Sequence, residues 1–137
     1  MFRRILVPVD FTKKNRRSVR LAASLAGPRR GSVTLLHVIE RVDAGEPGAY
    51  ARFYKMLESR AREKMEALLS AAPAVATKGE ILYGRRVDEI LRYAREKKID
   101  LIVMSSHRVP LRHPGENWGT ISYKVGILSR CPVLLVK

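Results

Sequence analysis

Short, almost uninterrupted apolar runs constrain the fold of this chain more than any other sequence feature. Five such runs recur along the sequence, and the first four end at polar loops. A strand that is apolar on both sides needs cover on both faces, which is typical of a parallel sheet between helices. The third run is more polar than the others and is predicted at an edge. The predicted strands span Arg4–Asp10, Ser32–Ile39, Lys78–Tyr83, Asp100–Met104 and Pro132–Val136.

Segments with helical spacing of apolar residues separate these strands. Thr12 or Asn15 is predicted to cap the first helix, and Gly27 to end it. The longest helix is predicted from Tyr50 to Ala72, with an aromatic and aliphatic stripe that is expected in the core. Gly126, inside the last helix, is expected to form a packing notch. The alternation predicts an α/β fold with a five-stranded parallel sheet and right-handed crossovers.

Length and composition fit one domain over residues 1–137. The sequence is 46% hydrophobic and 29% charged, as in ordinary globular proteins. It has no apolar run of about 18 residues or more and no signal-peptide pattern, so we expect a cytoplasmic protein without a membrane partner. Its single cysteine, Cys131, excludes an intramolecular disulfide and is expected to be buried.

The formal net charge of +14 comes from 27 Lys and Arg residues against 13 Asp and Glu residues. A basic surface attracts polyanions such as nucleic acids. The cations are spread along the chain, however, and aromatic residues do not alternate with them as they do in a base-stacking surface. A solvated basic surface therefore accounts for the charge, and nucleic-acid binding stands as an alternative without a motif.

The carboxyl ends of the first and fourth strands are the predicted position of a ligand site. Pro8 lacks an N–H, so we expect the ladder to stop there and residues 8–12 to form the lip of a pocket. The loop after Met104 leads into a helix that begins near Gly119 and Thr120, and helix N-termini favour anions. Ligands of open α/β sheets bind at such edges.

The chain resembles the universal stress proteins, a family of single domains with a Rossmann-like fold of the adenine-nucleotide-hydrolase type. The resemblance implies helices on both faces of a sheet with strand order 3-2-1-4-5, which makes the first and fourth strands neighbours. It also implies a homodimer formed largely through the last strand, over Val133–Val136. The residues that carry the resemblance are Ile5–Asp10, Leu35–Ile39, Asp100–Met104, Gly119-Thr120 and Val125 with Cys131–Val136.

Nucleotide-binding members of the family carry a glycine motif after the fourth strand: Gly, two residues, Gly, nine residues, Gly, and then Ser or Thr. Here Ser105 stands at the first glycine and Arg108 at the second, and ten residues separate Arg108 from Gly119. Only Gly119 and Thr120 keep the pattern. Phe11 stands where the family usually has Gly, and its ring is expected either to close the pocket or to pack against an adenine.

The resemblance implies an adenine nucleotide, with ATP as the first candidate and magnesium only as its companion. Asp10 would accept a hydrogen bond from ribose or adenine, Val38 would line the adenine pocket, and Thr120 and Ser122 would donate to phosphate. Helix capping accounts for Asp10 and Thr120 as well. The full set of expected cofactor-binding residues is Pro8, Val9, Asp10, Thr12, Val38, Met104, Ser105, Arg108, Gly119, Thr120, Ile121 and Ser122.

The sequence identifies no catalytic or metal-binding constellation. Ser106 and His107 lack the glycines of a nucleophile elbow, His37 is expected to be a core histidine, and His107 and His113 have no evident third ligand. We therefore expect a binding or regulatory module of the stress response. The alternatives are a family member that binds no nucleotide and acts through protein contacts, and an enzyme that hydrolyses ATP slowly.

Overall fold

The computed structural model describes residues 2–41, 48–72, 76–106 and 120–137. Strands and helices alternate along the chain, as the apolar runs predict. The strands form one sheet in the order β3-β2-β1-β4-β5 with all neighbours parallel, which confirms the fold class and the strand order. The elements are β1 (Arg4–Pro8), α1 (Lys14–Ala26), β2 (Ser32–Ile39), α2 (Ala51–Ser70), β3 (Ala76–Tyr83), α3 (Arg86–Glu96), β4 (Leu101–Ser105), α4 (Ile121–Leu128) and β5 (Val133–Val136).

Alternate residues of each central strand enter two separate cores, because successive side chains of a strand point to opposite faces. Ile5 and Val7 of β1 pack in the core that contains buried residues of α1 and α2. Leu6 lies between them in sequence and packs in the opposite core, with Tyr93 of α3 and Val125 of α4. All three β1 residues are fully buried, which explains the uninterrupted apolar run.

Several predictions of local structure are confirmed. β1 ends at Pro8, β3 lies at one edge of the sheet, and Gly27 follows the last residue of α1 with a φ of +75°. A φ in this range is accessible to glycine at little cost, which explains why the helix ends there.

Three expectations about packing are wrong. The long helix buries only Ala61, Met65 and Leu68, while Tyr50 just before it and Phe53 in its first turn remain about half exposed (51% and 49%). In that turn it is the Tyr54 ring that contacts the sheet, through Tyr83 of β3. Gly126 makes no packing notch within the described part of the chain, since a Cβ there would meet no atom of it within 4 Å. Cys131 is half-buried rather than buried, because it lies in the exposed turn before β5.

The described helices include none that is both long enough and apolar enough to cross a lipid bilayer.

Candidate functional site

A cleft opens at the carboxyl edge of the sheet between β1 and β4. These strands are neighbours, but the chain leaves β1 towards β2 on one side and reaches β5 from β4 on the other. The two connections diverge, so they leave a crevice above the strand ends, which is where open α/β sheets hold ligands. The crevice has a volume of about 110 Å³.

Eight of the residues predicted from the sequence line this cleft: Pro8, Val9, Asp10, Val38, Met104, Ser105, Ile121 and Ser122. Thr12 and Thr120 are not among the lining residues, but each contacts one: Thr12 Oγ1 donates to Asp10 Oδ1 at 2.8 Å, and the Thr120 and Ser122 hydroxyls are 3.4 Å apart. Arg108 and Gly119 lie outside the described residues, as do His107 and His113. Whether the twelve residues bind a nucleotide stays a prediction.

Asn15 joins the two strand ends that form the cleft. Its Oδ1 accepts hydrogen bonds from the N–H groups of Asp10 (3.0 Å) and Phe11 (2.7 Å), and its Nδ2 donates to Ser105 Oγ at 3.2 Å. Ser105 Oγ is also 2.7 Å from Ser18 Oγ. Asn15 and Ser18 are almost completely buried, so α1 fixes the floor of the cleft through their polar side chains.

The same contacts correct the predicted cap of α1. No side chain caps this helix, and the residue before it is Lys13. Thr12 and Asn15 are not available as caps, because Thr12 Oγ1 donates to Asp10 and Asn15 holds the turn after β1. Likewise, Thr120 precedes α4 at the predicted position but makes no capping hydrogen bond through its side chain.

Phe11 adopts a left-handed backbone conformation with a φ of +64°. Most residues with a Cβ avoid this region, and glycine occupies it freely. The Phe11 ring packs against the His37 ring, with 4.5 Å between centroids, and it lies 6.0 Å from Lys64 Nζ. Phe11 is not among the residues that line the described cleft, but its ring contacts His37, which is. That the ring closes the pocket or packs against an adenine stays a prediction.

His37 lines the cleft next to Asp10, and its Nδ1 is 2.8 Å from the Val9 carbonyl oxygen. A carbonyl only accepts, so Nδ1 carries the proton, and Nε2 is the acceptor of the neutral ring. Burial lowers the pKa of His37 below its usual value, and this effect exceeds the opposing effect of the hydrogen bond to Val9; the charge of Arg86 lowers it further. The ring is therefore neutral at physiological pH.

Hydroxyl groups and two ammonium groups meet beside the cleft, at the start of α4. Ser106 Oγ and Ser122 Oγ are 3.2 Å apart. Lys14 Nζ lies 3.5 Å from the Ser106 carbonyl oxygen, and Lys137 Nζ lies 3.5 Å from Ser106 Oγ. Hydroxyl donors and mobile ammonium groups are suitable partners for a phosphate.

Sequence reasoning missed the structural role of Asn15 and the positions of His37, Arg86 and Ile90 in the cleft wall. No sequence signal identified the role of Asn15, because its burial and the two strand ends that it joins follow only from the fold. His37 and Val38 are consecutive in β2 and both line the cleft, because the strand ends there. Over the described ranges, no three His, Cys, Asp or Glu side chains come together as metal ligands would.

Comparison with known proteins relates the whole chain to one family. The sequence model of the universal stress protein family matches residues 1–137. Universal stress protein YxiE of Bacillus subtilis is 29% identical over the full length of both chains. A universal stress protein solved in complex with cAMP superposes with a TM-score of 0.73 at 20% identity, covering 99% of this chain and 97% of that chain. The dAMP complex of an Archaeoglobus fulgidus universal stress protein superposes with a TM-score of 0.69 at 18% identity, covering 99% and 98%.

Proposed function

The chain belongs to the universal stress protein family, and on that premise we propose that the cleft between β1 and β4 binds an adenine nucleotide. One observation carries the proposal: a crevice at the switch point of the sheet combines apolar walls with a carboxylate and hydroxyls. The cAMP and dAMP complexes of two structural relatives support the same ligand class. In this protein the nucleotide is a regulatory ligand of a stress-response module.

Each wall of the cleft has a distinct role in this proposal. Val38, Met104 and Ile121 offer apolar contact to a base, and they are buried or half-buried as such a contact requires. The exposed carboxylate of Asp10 accepts hydrogen bonds from ribose hydroxyls. The hydroxyl of Ser122 in the wall and that of Ser106, which lies next to it outside the lining, receive the phosphate, and Lys14 supplies positive charge beside them.

The departures from the glycine motif are compatible with this arrangement. Ser105 Oγ is engaged by Asn15 and Ser18 beneath the cleft, so its side chain is part of the floor. The phosphate would then contact the side chains of Ser106 and Lys14 instead of a glycine-rich backbone. A guanidinium or ammonium group can replace backbone donors in holding phosphate.

Calorimetric titration of the protein with AMP and with ATP tests the proposal. A sample of freshly purified protein is also denatured, and the released small molecules are chromatographed to detect any nucleotide that co-purifies. Asp10→Ala should weaken AMP binding about tenfold or more, because a hydrogen bond to a charged group contributes about 1.5–3 kcal/mol. Glu66→Ala, an exposed carboxylate change on α2, is the matched control. Absence of binding at millimolar AMP and ATP would exclude the proposal.

ATP with magnesium as its companion is the finer form of the proposal. The same titrations repeated with ATP in magnesium and in EDTA test it. If the protein binds ATP more tightly than AMP in magnesium but not in EDTA, the result supports ATP with magnesium as the ligand. If the affinities for ATP and AMP are equal in magnesium and in EDTA, the protein recognises the part that both ligands share and not the additional phosphates or the metal.

A homodimer through β5 is the second part of the proposal. β5 is an edge strand with four residues, and Leu134 on it is 37% exposed. Ile127 and Leu128, at the end of the preceding helix, are 80% and 60% exposed. An apolar edge strand of this kind is stabilised when a second copy pairs with it.

Nucleic-acid binding is a second candidate function, favoured by the exposed face of α1. Five cations lie on or just before this helix with their side chains exposed, and residues 11–31 contain no acidic residue. The apolar face of the helix is buried in the core, so electrostatic contact is the interaction that it offers. The exposed cations are Lys13, Lys14, Arg16, Arg17 and Arg20.

Fluorescence anisotropy with a labelled single-stranded oligonucleotide at several salt concentrations tests this second function. Affinity should fall steeply with salt, because neutralised phosphates release counterions. Arg16→Ala/Arg17→Ala/Arg20→Ala should reduce the slope of the salt dependence by about 2. Arg95→Ala/Lys97→Ala/Arg130→Ala makes the same charge change elsewhere; an equal loss in both variants would exclude a site on α1.

A further inference from the structure

A larger, open groove adjoins the nucleotide cleft at the carboxyl end of β3. Its volume is about 970 Å³, and it shares Arg86 and Ile121 with the cleft. The cleft has no space for a second nucleotide unit, whereas the groove has the volume of a whole pocket for a drug-sized ligand. A ligand that enters the cleft therefore has space to continue into the groove.

The Tyr83 ring and the Arg41 guanidinium group form the far wall of the groove, and further aromatic rings lie behind them. The Arg41 guanidinium lies over the Tyr83 ring, 4.4 Å from its centroid, and 5.7 Å from the centroid of Tyr54. Tyr54 also contacts Tyr83 and Phe53 edge to face, with centroids 6.4 and 5.6 Å apart. Nucleobases stack on aromatic rings and on Arg guanidinium planes.

Three further cations line the groove between this wall and the cleft: Arg85, Arg86 and Lys124. Their side chains are exposed, and none of them forms an ion pair within the described part of the chain. Of the two acidic residues on the groove, Glu40 accepts a hydrogen bond from the Arg86 N–H, and Asp88 lies in the first turn of α3. Positive charge beside a stacking surface fits a base that is joined to a phosphodiester.

We propose that this groove binds a second nucleotide unit, linked by a phosphodiester to the one in the cleft. The inference rests on the proposed function, because it assigns the first unit to the cleft between β1 and β4. It extends the proposed ligand from a mononucleotide to a dinucleotide or to a short segment of a single-stranded nucleic acid. Both sources share the same chemistry: a base on Arg41 and Tyr83, and a phosphodiester near Arg85 and Lys124.

Titration calorimetry with AMP, pAp and pApA tests the inference. pAp adds only a 3′-phosphate to AMP, whereas pApA adds a complete second unit. pApA should bind about five- to 150-fold more tightly than AMP or pAp, because its second base stacks on the groove wall. Arg41→Ala/Arg85→Ala should remove this gain and leave the affinity for AMP within about twofold of the original.

The variant Arg95→Ala/Arg130→Ala removes the same charge away from the groove and should keep the gain. Equal affinities of the unchanged protein for pApA and AMP would overturn the second-unit inference alone. Failure of all three ligands to bind would overturn the proposed function as well. A gain that survives in Arg41→Ala/Arg85→Ala would also overturn the inference, because the second unit would then lie elsewhere.

A tetranucleotide of adenylate distinguishes the two sources. Equal affinity for pApA and the tetranucleotide assigns the groove to a free dinucleotide. A further gain for the tetranucleotide that is lost in Arg41→Ala/Arg85→Ala assigns it to a strand that passes through the groove. Either result supports a second unit.

Discussion

At the scale of single residues, Asn15 is the side chain on which the floor of the cleft most depends. Asn15→Ala removes the acceptor of two N–H groups and the donor to Ser105 at a fully buried position. Unsatisfied buried groups are costly, so we expect the free energy of unfolding to fall by about 2–4 kcal/mol. Urea denaturation measures the loss.

Ser18→Ala provides the comparison, because it removes one hydroxyl contact with Ser105 from the same buried region. Its cost should be about 1 kcal/mol. Equal losses in the two variants would contradict the role of Asn15 as the link between the strand ends.

His37 predicts a pH dependence of stability. Its pKa in the folded protein is lowered, mainly by burial, from the usual value of 6.5 that the unfolded chain retains. The unfolded chain therefore binds the proton more readily, and stability falls as the pH drops below about 7 through 6.5 towards the lower folded pKa. Urea denaturation at pH 7.5, 6.5 and 5.5 measures this fall.

His37→Asn removes the titrating ring and retains an N–H donor for the Val9 carbonyl oxygen. The stability of this variant should change less over the same pH range than that of the unchanged protein. Parallel profiles for the two proteins would mean that His37 contributes nothing to the pH dependence.

At the scale of elements, helix α1 carries positive side chains at its N-terminus, where the helix dipole is also positive. Lys13, Lys14, Arg16 and Arg17 lie at its N-terminal end, and its first turn has no acidic residue. Lys13→Glu should raise the free energy of unfolding by about 0.3–1 kcal/mol, because a negative charge at this end complements the helix dipole. Thermal unfolding at low salt measures the gain, which should shrink as salt is added.

The same substitution at the opposite end of a helix is the control. Lys97 follows the last residue of α3, so Lys97→Glu places a negative charge at a helix C-terminus and should lower stability. If the free energy of unfolding changed in the same direction in Lys13→Glu and Lys97→Glu, the effect would come from the net charge and not from the helix dipole.

Strand β5 predicts the oligomeric state. Leu134→Lys places a charge in the middle of the proposed paired edge and should convert a dimer to a monomer in analytical ultracentrifugation. Met56→Lys on α2 changes a side chain of similar exposure, 41% against 37%, away from that edge and should leave the mass unchanged. A monomer before any substitution would rule out the proposed dimer.

These elements also show what sequence could and could not predict. Ile5, Leu6 and Val7 are fully buried, so burial itself produces the apolar run that identifies β1. Tyr50 and Phe53 share the spacing of the buried half of α2, yet they are exposed, because periodicity does not say which apolar side chains of a helix the sheet covers. The hydrogen bonds of Asn15 were not predictable either, since their partners lie on two strand ends brought together only by the fold.

At the scale of the whole molecule, parallel topology makes the cleft a product of distant parts of the chain. Its predicted residues extend from Pro8 to Ser122, and the apolar core on each side of the sheet contains residues from both halves of the sequence. Filling the cleft therefore stabilises the folded chain as a unit. A ligand at 100 times its Kd should add about 2.7 kcal/mol to the free energy of unfolding.

The hydrogen bond between Asn15 and Ser105 determines at which stage of folding a ligand can begin to stabilise the chain. It closes a separation of 90 residues, and contacts at such distances form late in folding because loop closure costs conformational entropy. A nucleotide should thus find no complete cleft in the transition state, so it should slow unfolding in stopped-flow measurements and leave the refolding rate nearly unchanged. The lifetime of the folded protein, rather than its speed of formation, would then follow the nucleotide concentration.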